Sequence, residues 1–130
     1  MPEEFAYEGH SKGRVRALRS RHAPQSKVSI SLINVGEVFY LIAKRHGAAP
    51  AERFPADLAM MPIQALLPDR RLILAAARLK SRYPISYADA FAVETAREQN
   101  AILVTGDPEQ WRLSKQEPIE LLWVGKKQAH

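Results

Sequence analysis

The fold class of this chain is decided by one short segment, Ala101-Ile-Leu-Val-Thr105-Gly-Asp107. Its unbroken run of apolar and β-branched residues is typical of a strand that is buried on both faces of a parallel sheet. The chain then turns at Gly106-Asp107-Pro108, since glycine and proline both favour turns. Asp107 is therefore predicted to lie just beyond the carboxyl end of a strand, where open α/β folds usually bind their ligands.

Two helices are predicted before this strand, because leucines and alanines recur at helical spacing on both sides of Pro84. The first extends from Arg70 to about Arg82, and the second extends from Tyr87 to about Gln99. Asp69 and Ser86 stand directly before these helices and have the short polar side chains that N-caps require. For Ser86 this capping role is favoured over a catalytic role.

Shorter elements are predicted nearer the amino terminus. Val28-Ser-Ile-Ser31 alternates in polarity as a short strand does, and a helical pattern then continues to a C-terminal stop at Gly47. Pro50 and Pro55 predict a change of direction before a shorter element. The segment from Met61 to Leu67 is ambiguous, and an edge strand is one interpretation of it.

The segment Ile119-Glu-Leu-Leu-Trp-Val124 is predicted to be the last strand. Helices separated by short apolar strands indicate an α/β sandwich around a mainly parallel sheet. With 130 residues, of which 46% are hydrophobic, the chain is long enough to form one packed core. Residues 1–130 are therefore predicted to form a single domain.

The composition excludes several classes of function. The chain has no cysteine, which rules out disulfide scaffolds, thiol nucleophiles and cysteine-ligated zinc. It has no run of about 18 apolar residues, and its acidic start, Met1-Pro-Glu-Glu4, is unlike a secretory signal. We therefore expect a cytoplasmic protein without a membrane partner. The net charge of +5 favours a polyanionic partner.

The segment from His10 to Lys27 carries six basic residues and no acidic one. We predict a helix here, with a narrow buried edge and a wide cationic face. That face is either an ordinary solvated surface or a surface that binds phosphates. In the second interpretation, the candidate nucleic-acid-binding residues are Arg14, Arg16, Arg19 and Arg21.

Three acidic residues stand where a solvated charge is unexpected. Glu37 lies between Ile33 and Leu41 at four-residue spacing, so it is predicted on the inward face of its helix. Asp89 lies on a similar apolar stripe of a later helix, and Asp107 follows a strand end. A buried carboxylate without a partner costs several kcal/mol. The three acids therefore either pair with separate basic residues or converge on one divalent cation.

A shared cation would be Mg²⁺ or Mn²⁺, because the candidate ligands are all oxygen atoms. One or two such ions could promote hydrolysis of a phosphate ester by activating water. Asn34, three residues before Glu37, could donate to its carboxylate. Thr105 either orients Asp107 or the attacking water, or is simply a β-branched strand residue.

These residues also carry a resemblance to a known family. Three segments resemble the acidic motifs of PIN domains in order and in spacing, and the similarity is closest to VapC-like toxins of type II toxin–antitoxin modules. The segments are Ser31-Leu-Ile-Asn34-Val-Gly-Glu37-Val-Phe-Tyr40, Tyr83-Pro-Ile-Ser-Tyr-Ala-Asp89-Ala-Phe91 and Ala101-Ile-Leu-Val-Thr105-Gly-Asp107-Pro-Glu109.

The resemblance implies a three-layer α/β/α sandwich and a Mg²⁺- or Mn²⁺-dependent endoribonuclease. It also implies a homodimer that is held inactive by a VapB-like antitoxin, whose C-terminal segment lies along the acidic groove. Glu37, Asp89 and Asp107 would be the catalytic metal ligands. The polar residues around those ligands would be Asn34, Ser86, Thr105 and Glu109.

The chain departs from the family pattern at its amino terminus. PIN domains begin with a short apolar strand that ends in an Asp, and the resemblance implies that this strand would fall before Met1. We therefore expect the first strand to be missing and the nuclease activity to be impaired. The alternative function is a degenerate scaffold that binds an antitoxin or nucleic acid without cleaving it.

Overall fold

The computed structural model describes the backbone of residues 17–20 and residues 28–125 in full. No helix within these ranges is long and apolar enough to cross a lipid bilayer. The elements in chain order are β1 (Ala17–Ser20), β2 (Val28–Ser31), α1 (Leu32–His46), α2 (Ala48–Ala59), β3 (Ile63–Leu66), α3 (Arg70–Arg82), α4 (Tyr87–Gln99), β4 (Ala101–Thr105), α5 (Pro108–Leu113) and β5 (Leu121–Trp123).

The strands form one sheet in the order β3-β2-β1-β4-β5. β2 pairs with β3 in parallel, and β4 pairs with β5 in parallel. β1 lies between these two pairs and is antiparallel to both of its neighbours. Four of the five strands therefore run in the same direction, which confirms the predicted α/β fold with a mainly parallel sheet.

The prediction of a cationic helix is wrong at Ala17–Ser20, because these residues form the central strand of the sheet. Arg19 pairs with Val28 on one side and with Ile102 on the other. A strand in this position supplies hydrogen bonds to two sheet edges that would otherwise be unpaired, and this outweighs the helical preference of Ala, Leu and Arg. The expectation that the first strand of the fold is missing is not confirmed, since β1 occupies the central position of the sheet between β2 and β4. The other three candidate arginines, at positions 14, 16 and 21, lie outside the described residues.

The helix starts follow the local sequence signals. Asp69 caps α3, since its Oδ1 accepts a hydrogen bond from the Leu72 amide at 2.9 Å. Ser31 caps α1, since its Oγ accepts from the Ile33 amide at 3.2 Å. Asn100 ends α4 in the left-handed conformation, with φ of 51°. These caps satisfy amides and carbonyls that a helix leaves unpaired at its ends.

The buried face of α1 differs from the predicted one by one position. Asn34, Val38 and Ile42 are its buried residues, whereas Ile33 is 38% exposed and Glu37 is only half-buried. The prediction that Glu37 lies on the inward stripe is therefore wrong. Two adjacent stripes of this helix are similarly apolar, so periodicity alone could not distinguish them. The packing of α2 against α1 selects the stripe that contains Val38 and Ile42.

The helix α2 continues through both prolines that were predicted to redirect the chain. Pro50 lies in the first turn of the helix, where its missing amide would have had no helical partner. Pro55 lies in the helix interior and removes one hydrogen bond there. Burial of Ala51, Phe54 and Leu58 against α1 offsets that loss. The chain instead turns just before this helix.

The strand β4 leads from the core to the edge where Asp107 lies. Leu103 and Val104 project to opposite faces of the sheet, and each is 0% exposed. Leu103 packs in a cluster with residues of α3 and α4, including Leu79 and Val93. Val104 packs on the other face in a separate cluster. Since both faces are covered, this strand provides a rigid support for the turn that follows it.

An ionic network links α4 to the segment before it and to the segment between α5 and β5. Glu117 accepts hydrogen bonds from the Tyr83 hydroxyl at 2.5 Å and from Arg97 at 2.6 Å. Arg97 also pairs with Glu94 at 2.9 Å. The hydrogen bond from Tyr83, followed by that from Arg97, lowers the pKa of Glu117. The same bond to Glu117 raises the pKa of the Tyr83 hydroxyl.

Glu117→Gln is expected to lower the free energy of unfolding near neutral pH by about 1–2 kcal/mol, since a charge-assisted network is lost. Because the folded-state pKa of Glu117 is lowered, its stabilising contribution is present above the ordinary pKa of about 4.5 and is lost as pH falls through the folded-state value. The variant should therefore show a flatter decline in stability over that acid range. Urea unfolding from neutral to acid pH measures this difference. The matched control is Glu52→Gln on the exposed surface of α2, which should change the free energy of unfolding at neutral pH by no more than about 0.5 kcal/mol.

Candidate metal site

Asp107 is held in place by hydrogen bonds within its own turn. Its backbone amide donates to Thr105 Oγ1 at 3.0 Å. Its carboxylate Oδ1 accepts from the Glu109 amide at 2.9 Å, so Asp107 is the N-cap of α5. The residue is only 4% exposed. The strand end, the threonine and the short helix together fix where this carboxylate lies.

Asp89 is held at the start of α4. Its backbone amide donates to Ser86 Oγ at 3.0 Å, which makes Ser86 the N-cap of this helix. Asp89 itself is 0% exposed, and Ile85 and Val93 on its predicted stripe are also buried. A carboxylate in the first turn of a helix is stabilised by the positive end of the helix dipole. The structure thus gives Ser86 a capping contact at the start of α4.

The carboxylates of Asp89, Asp107 and Glu109 converge, and we call them the acidic group. One carboxylate oxygen from each of the three residues lies within 4.8 Å of the other two. Asp89 and Asp107 are buried, whereas Glu109 is half-buried. Glu109 was predicted to lie around the metal ligands, but here it is a full member of the group. Among the described residues, Glu37 is not part of it.

Asn34 contacts the backbone beside the acidic group. Its Nδ2 donates to the carbonyl oxygen of Ala88 at 3.0 Å, and the side chain is only 1% exposed. The prediction that Asn34 donates to Glu37 therefore finds no described bond, because Asn34 lies on the buried face of α1 and faces α4. Within the described part of the chain, its Oδ1 is buried without a hydrogen-bond partner.

Gln110 lies beside the acidic group, although the sequence did not predict a role for it. It is 0% exposed, and its Nε2 donates to the carbonyl oxygen of Asp89 at 3.3 Å. The signal for it was the spacing Asp107-x-x-Gln110, which is typical of a capping box. In a capping box the glutamine would accept from the Asp107 amide, but Thr105 already accepts that bond. The glutamine side chain is therefore available to contact α4.

The acidic group fits a hard divalent cation. Its donors are all carboxylate oxygens, which Mg²⁺ and Mn²⁺ prefer and which Zn²⁺ sites usually supplement with nitrogen or sulfur. The burial of two of the three carboxylates makes their mutual repulsion costly without a cation.

Comparison with known proteins agrees with this geometry. The family model for the PIN domain matches residues 5–116, which is most of the chain. The chain belongs to the PIN domain family. No curated protein and no solved structure gives a match. PIN domains are in general metal-dependent nucleases, so membership implies a nuclease-type function for this PIN domain, and the acidic group is consistent with it.

Gly125 packs tightly against the turn that carries Asp107. A Cβ atom at this position would lie 2.8 Å from Trp123 Cζ2 and 3.0 Å from Gly106 Cα. Gly125→Ala is therefore expected to displace Gly106 and to lower the free energy of unfolding by about 1–3 kcal/mol. Since Gly106 directly precedes Asp107, affinity for Mn²⁺ should fall as well. Thermal unfolding and calorimetric Mn²⁺ titration measure the two effects.

Gly36→Ala is the matched control for that substitution. A Cβ atom at Gly36 would meet nothing within 4 Å, and the residue lies inside α1. This variant should be more stable by about 0.5–1 kcal/mol, because glycine in a helix interior is unfavourable relative to alanine. Its Mn²⁺ affinity should be unchanged. Equal effects of the two substitutions would contradict the packing argument for Gly125.

Proposed function

We propose that this PIN domain is a divalent-metal-dependent endoribonuclease and the toxin of a VapBC-type toxin–antitoxin pair. The observation that carries the proposal is the acidic group at the carboxyl edge of the sheet, whose oxygens lie within 4.8 Å of one another. This is the edge where open α/β folds usually bind ligands. Family membership supports the nuclease class, and the motif resemblance supports the VapC-like type.

A bound Mg²⁺ or Mn²⁺ would supply activation of water and stabilisation of the leaving oxygen during phosphodiester hydrolysis. Asp89 and Asp107 would hold the cation from the protein side, because both are buried and fixed by backbone hydrogen bonds. Glu109 is half-buried and would complete the ligand set on the solvent side. The Thr105 hydroxyl keeps Asp107 in place by accepting a hydrogen bond from the Asp107 backbone amide.

An RNA substrate is supported by the net charge of the chain. The excess of five positive charges favours a polyanion, even though the acidic group itself repels phosphates. Two exposed arginines of α3, Arg70 and Arg78, line a groove around Leu74 and add to this field. Arg71 lines the same groove but pairs with Glu98. The arginines at positions 14, 16, 19 and 21 remain predicted phosphate contacts. RNA affinity should then fall steeply with salt.

Partner binding is supported by apolar side chains that α1 leaves exposed. Leu32 is 40% exposed, Ile33 is 38% exposed and Tyr40 is 56% exposed. Neighbouring apolar residues on one helix mark surfaces that proteins commonly bind. We propose that such surfaces serve a VapB-like antitoxin and a second copy of the chain, in the cytoplasm.

The second candidate function is a scaffold that binds antitoxin or nucleic acid without cleaving it. The position of Glu37 favours this candidate, because Glu37 is half-buried and lies outside the acidic group in the described structure. A site with three carboxylates carries less negative charge than a site with four, and it is expected to bind metal more weakly.

The experiment that separates the two functions measures cleavage of single-stranded RNA by the purified chain with Mg²⁺ or Mn²⁺. A nuclease should cleave RNA with metal, lose cleavage in the presence of a chelator, and lose it in Asp107→Asn. The matched control is Asp57→Asn, at an exposed position of α2, which should cleave as the unsubstituted chain does. Metal binding without cleavage would contradict the nuclease and favour the scaffold. A DNA strand of the same sequence tests the preference for RNA.

A further inference from the structure

Gln110 is bonded to both buried acids of the acidic group. Its backbone amide donates to the carbonyl oxygen of Asp107 at 3.0 Å, as the first turn of α5 requires. Its side-chain Nε2 donates to the carbonyl oxygen of Asp89 at 3.3 Å, across to α4. One residue thus connects the turn that carries Asp107 to the turn that carries Asp89.

Stability alone does not account for a glutamine at this position. Gln110 is 0% exposed, and within the described residues its Oε1 has no hydrogen-bond partner. A buried amide oxygen without a partner is destabilising, whereas an apolar side chain of similar size would pack in this region without that cost. Among the contacts of the described residues, what the glutamine side chain gains is its bond to the Asp89 carbonyl.

A second buried amide, on a different helix, is bonded to the same turn. Asn34 on α1 donates to the carbonyl oxygen of Ala88 at 3.0 Å. Gln110 on α5 donates to the next carbonyl along the chain, that of Asp89. Two consecutive carbonyls at the start of α4 are therefore bonded by side chains from two different helices. This arrangement restricts movement of the helix start that carries the Asp89 carboxylate.

We propose that Gln110 is a positioning residue that sets the separation of the Asp89 and Asp107 carboxylates for one divalent cation. The proposal rests on the proposed function only in that the acidic group binds metal. Gln110 acts through the backbone of the two acids and needs no contact with the cation. Residues that orient metal ligands in this way commonly change metal affinity when they are replaced.

The test measures the dissociation constant for Mn²⁺ in Gln110→Met, by electron paramagnetic resonance below the melting temperature. Methionine has a similar length and volume but cannot donate to the Asp89 carbonyl. The dissociation constant is expected to rise by about 10-fold or more. The spectrum of the bound Mn²⁺ should also change, because the distance between the Asp89 and Asp107 carboxylates is no longer fixed.

The matched control is Thr95→Val, which removes another buried hydrogen bond on α4. Thr95 is 1% exposed, and its Oγ1 donates to the Phe91 carbonyl at 2.6 Å. This substitution also lowers buried polarity, but it leaves the acidic group untouched. Its Mn²⁺ affinity and spectrum should match those of the unsubstituted chain. A loss of affinity equal to that of Gln110→Met would show a general effect of destabilisation and overturn the positioning role.

The outcomes separate this inference from the proposed function. Mn²⁺ binding by Gln110→Met equal to that of the unsubstituted chain overturns the inference alone. Absence of Mn²⁺ binding by the unsubstituted chain overturns both. A second measurement covers the case in which Gln110→Met does not fold. In the nuclear magnetic resonance spectrum of the unsubstituted chain, Mg²⁺ should shift the Gln110 side-chain amide signals together with the Asp89 and Asp107 amides. Shifts confined to the two acids would overturn the inference.

Discussion

Asp89→Asn is expected to abolish metal binding and metal-dependent RNA cleavage, with a fall of at least about 100-fold in each. Asparagine has nearly the same shape as aspartate but carries no negative charge. The fold should survive, because the bond between Ser86 and position 89 uses the backbone amide. The loss therefore reports on the carboxylate itself. Calorimetric titration with Mn²⁺ and a cleavage assay measure the two quantities.

Thermal unfolding gives an independent check on Asp89→Asn. A cation that binds only the folded chain raises its melting temperature, so Mn²⁺ should stabilise the unsubstituted chain and leave the variant unchanged. The matched control is Asp57→Asn, since Asp57 is exposed on α2 and should keep both the Mn²⁺ affinity and the stabilisation. Full Mn²⁺ affinity in Asp89→Asn would remove Asp89 from the ligand set.

Leu103→Ala is expected to lower the free energy of unfolding by about 2–5 kcal/mol. Leu103 is 0% exposed in β4 and packs against residues of α3 and α4, so the smaller side chain leaves a cavity in the main core. Small domains are typically stable by about 5–15 kcal/mol, so this substitution removes a large part of the total. Urea unfolding with a fluorescence or circular dichroism signal measures it.

The same substitution on the surface serves as the control. Leu67 is 81% exposed, and Leu67→Ala should change the free energy of unfolding by no more than about 0.5 kcal/mol. The contrast between the two leucines tests whether β4 lies in the core or at a surface. Similar values for both variants would contradict the burial of β4 and the support it gives to Asp107.

The features that the sequence predicted well depend on local interactions. Asp69 and Ser86 cap their helices as predicted, because an N-cap bond joins residues only a few positions apart. β4 is the predicted buried strand, because its apolar run is only 5 residues long, contains β-branched residues and is followed at once by a turn with a glycine and a proline. Asp107 lies at the carboxyl edge of the sheet as predicted, because it comes two residues after the end of β4.

The features that the sequence missed depend on contacts between distant elements. The strand Ala17–Ser20 forms because two sheet edges require a partner, which its own composition does not reveal. The buried side of α1 is chosen by α2, so Glu37 was misplaced and the contact of Asn34 with α4 was not foreseen. Gln110 was not predicted, because its side-chain bond to the Asp89 carbonyl joins residues 21 positions apart.

The central claim is that Asp89, Asp107 and Glu109 together hold a divalent cation, and titration of the purified chain with Mn²⁺ tests it most directly. We predict saturable binding at micromolar concentrations in the unsubstituted chain, with a large loss of affinity in Asp107→Asn and none in Asp57→Asn. No saturable binding up to millimolar Mn²⁺, or equal binding by the unsubstituted chain and Asp107→Asn, would contradict the claim.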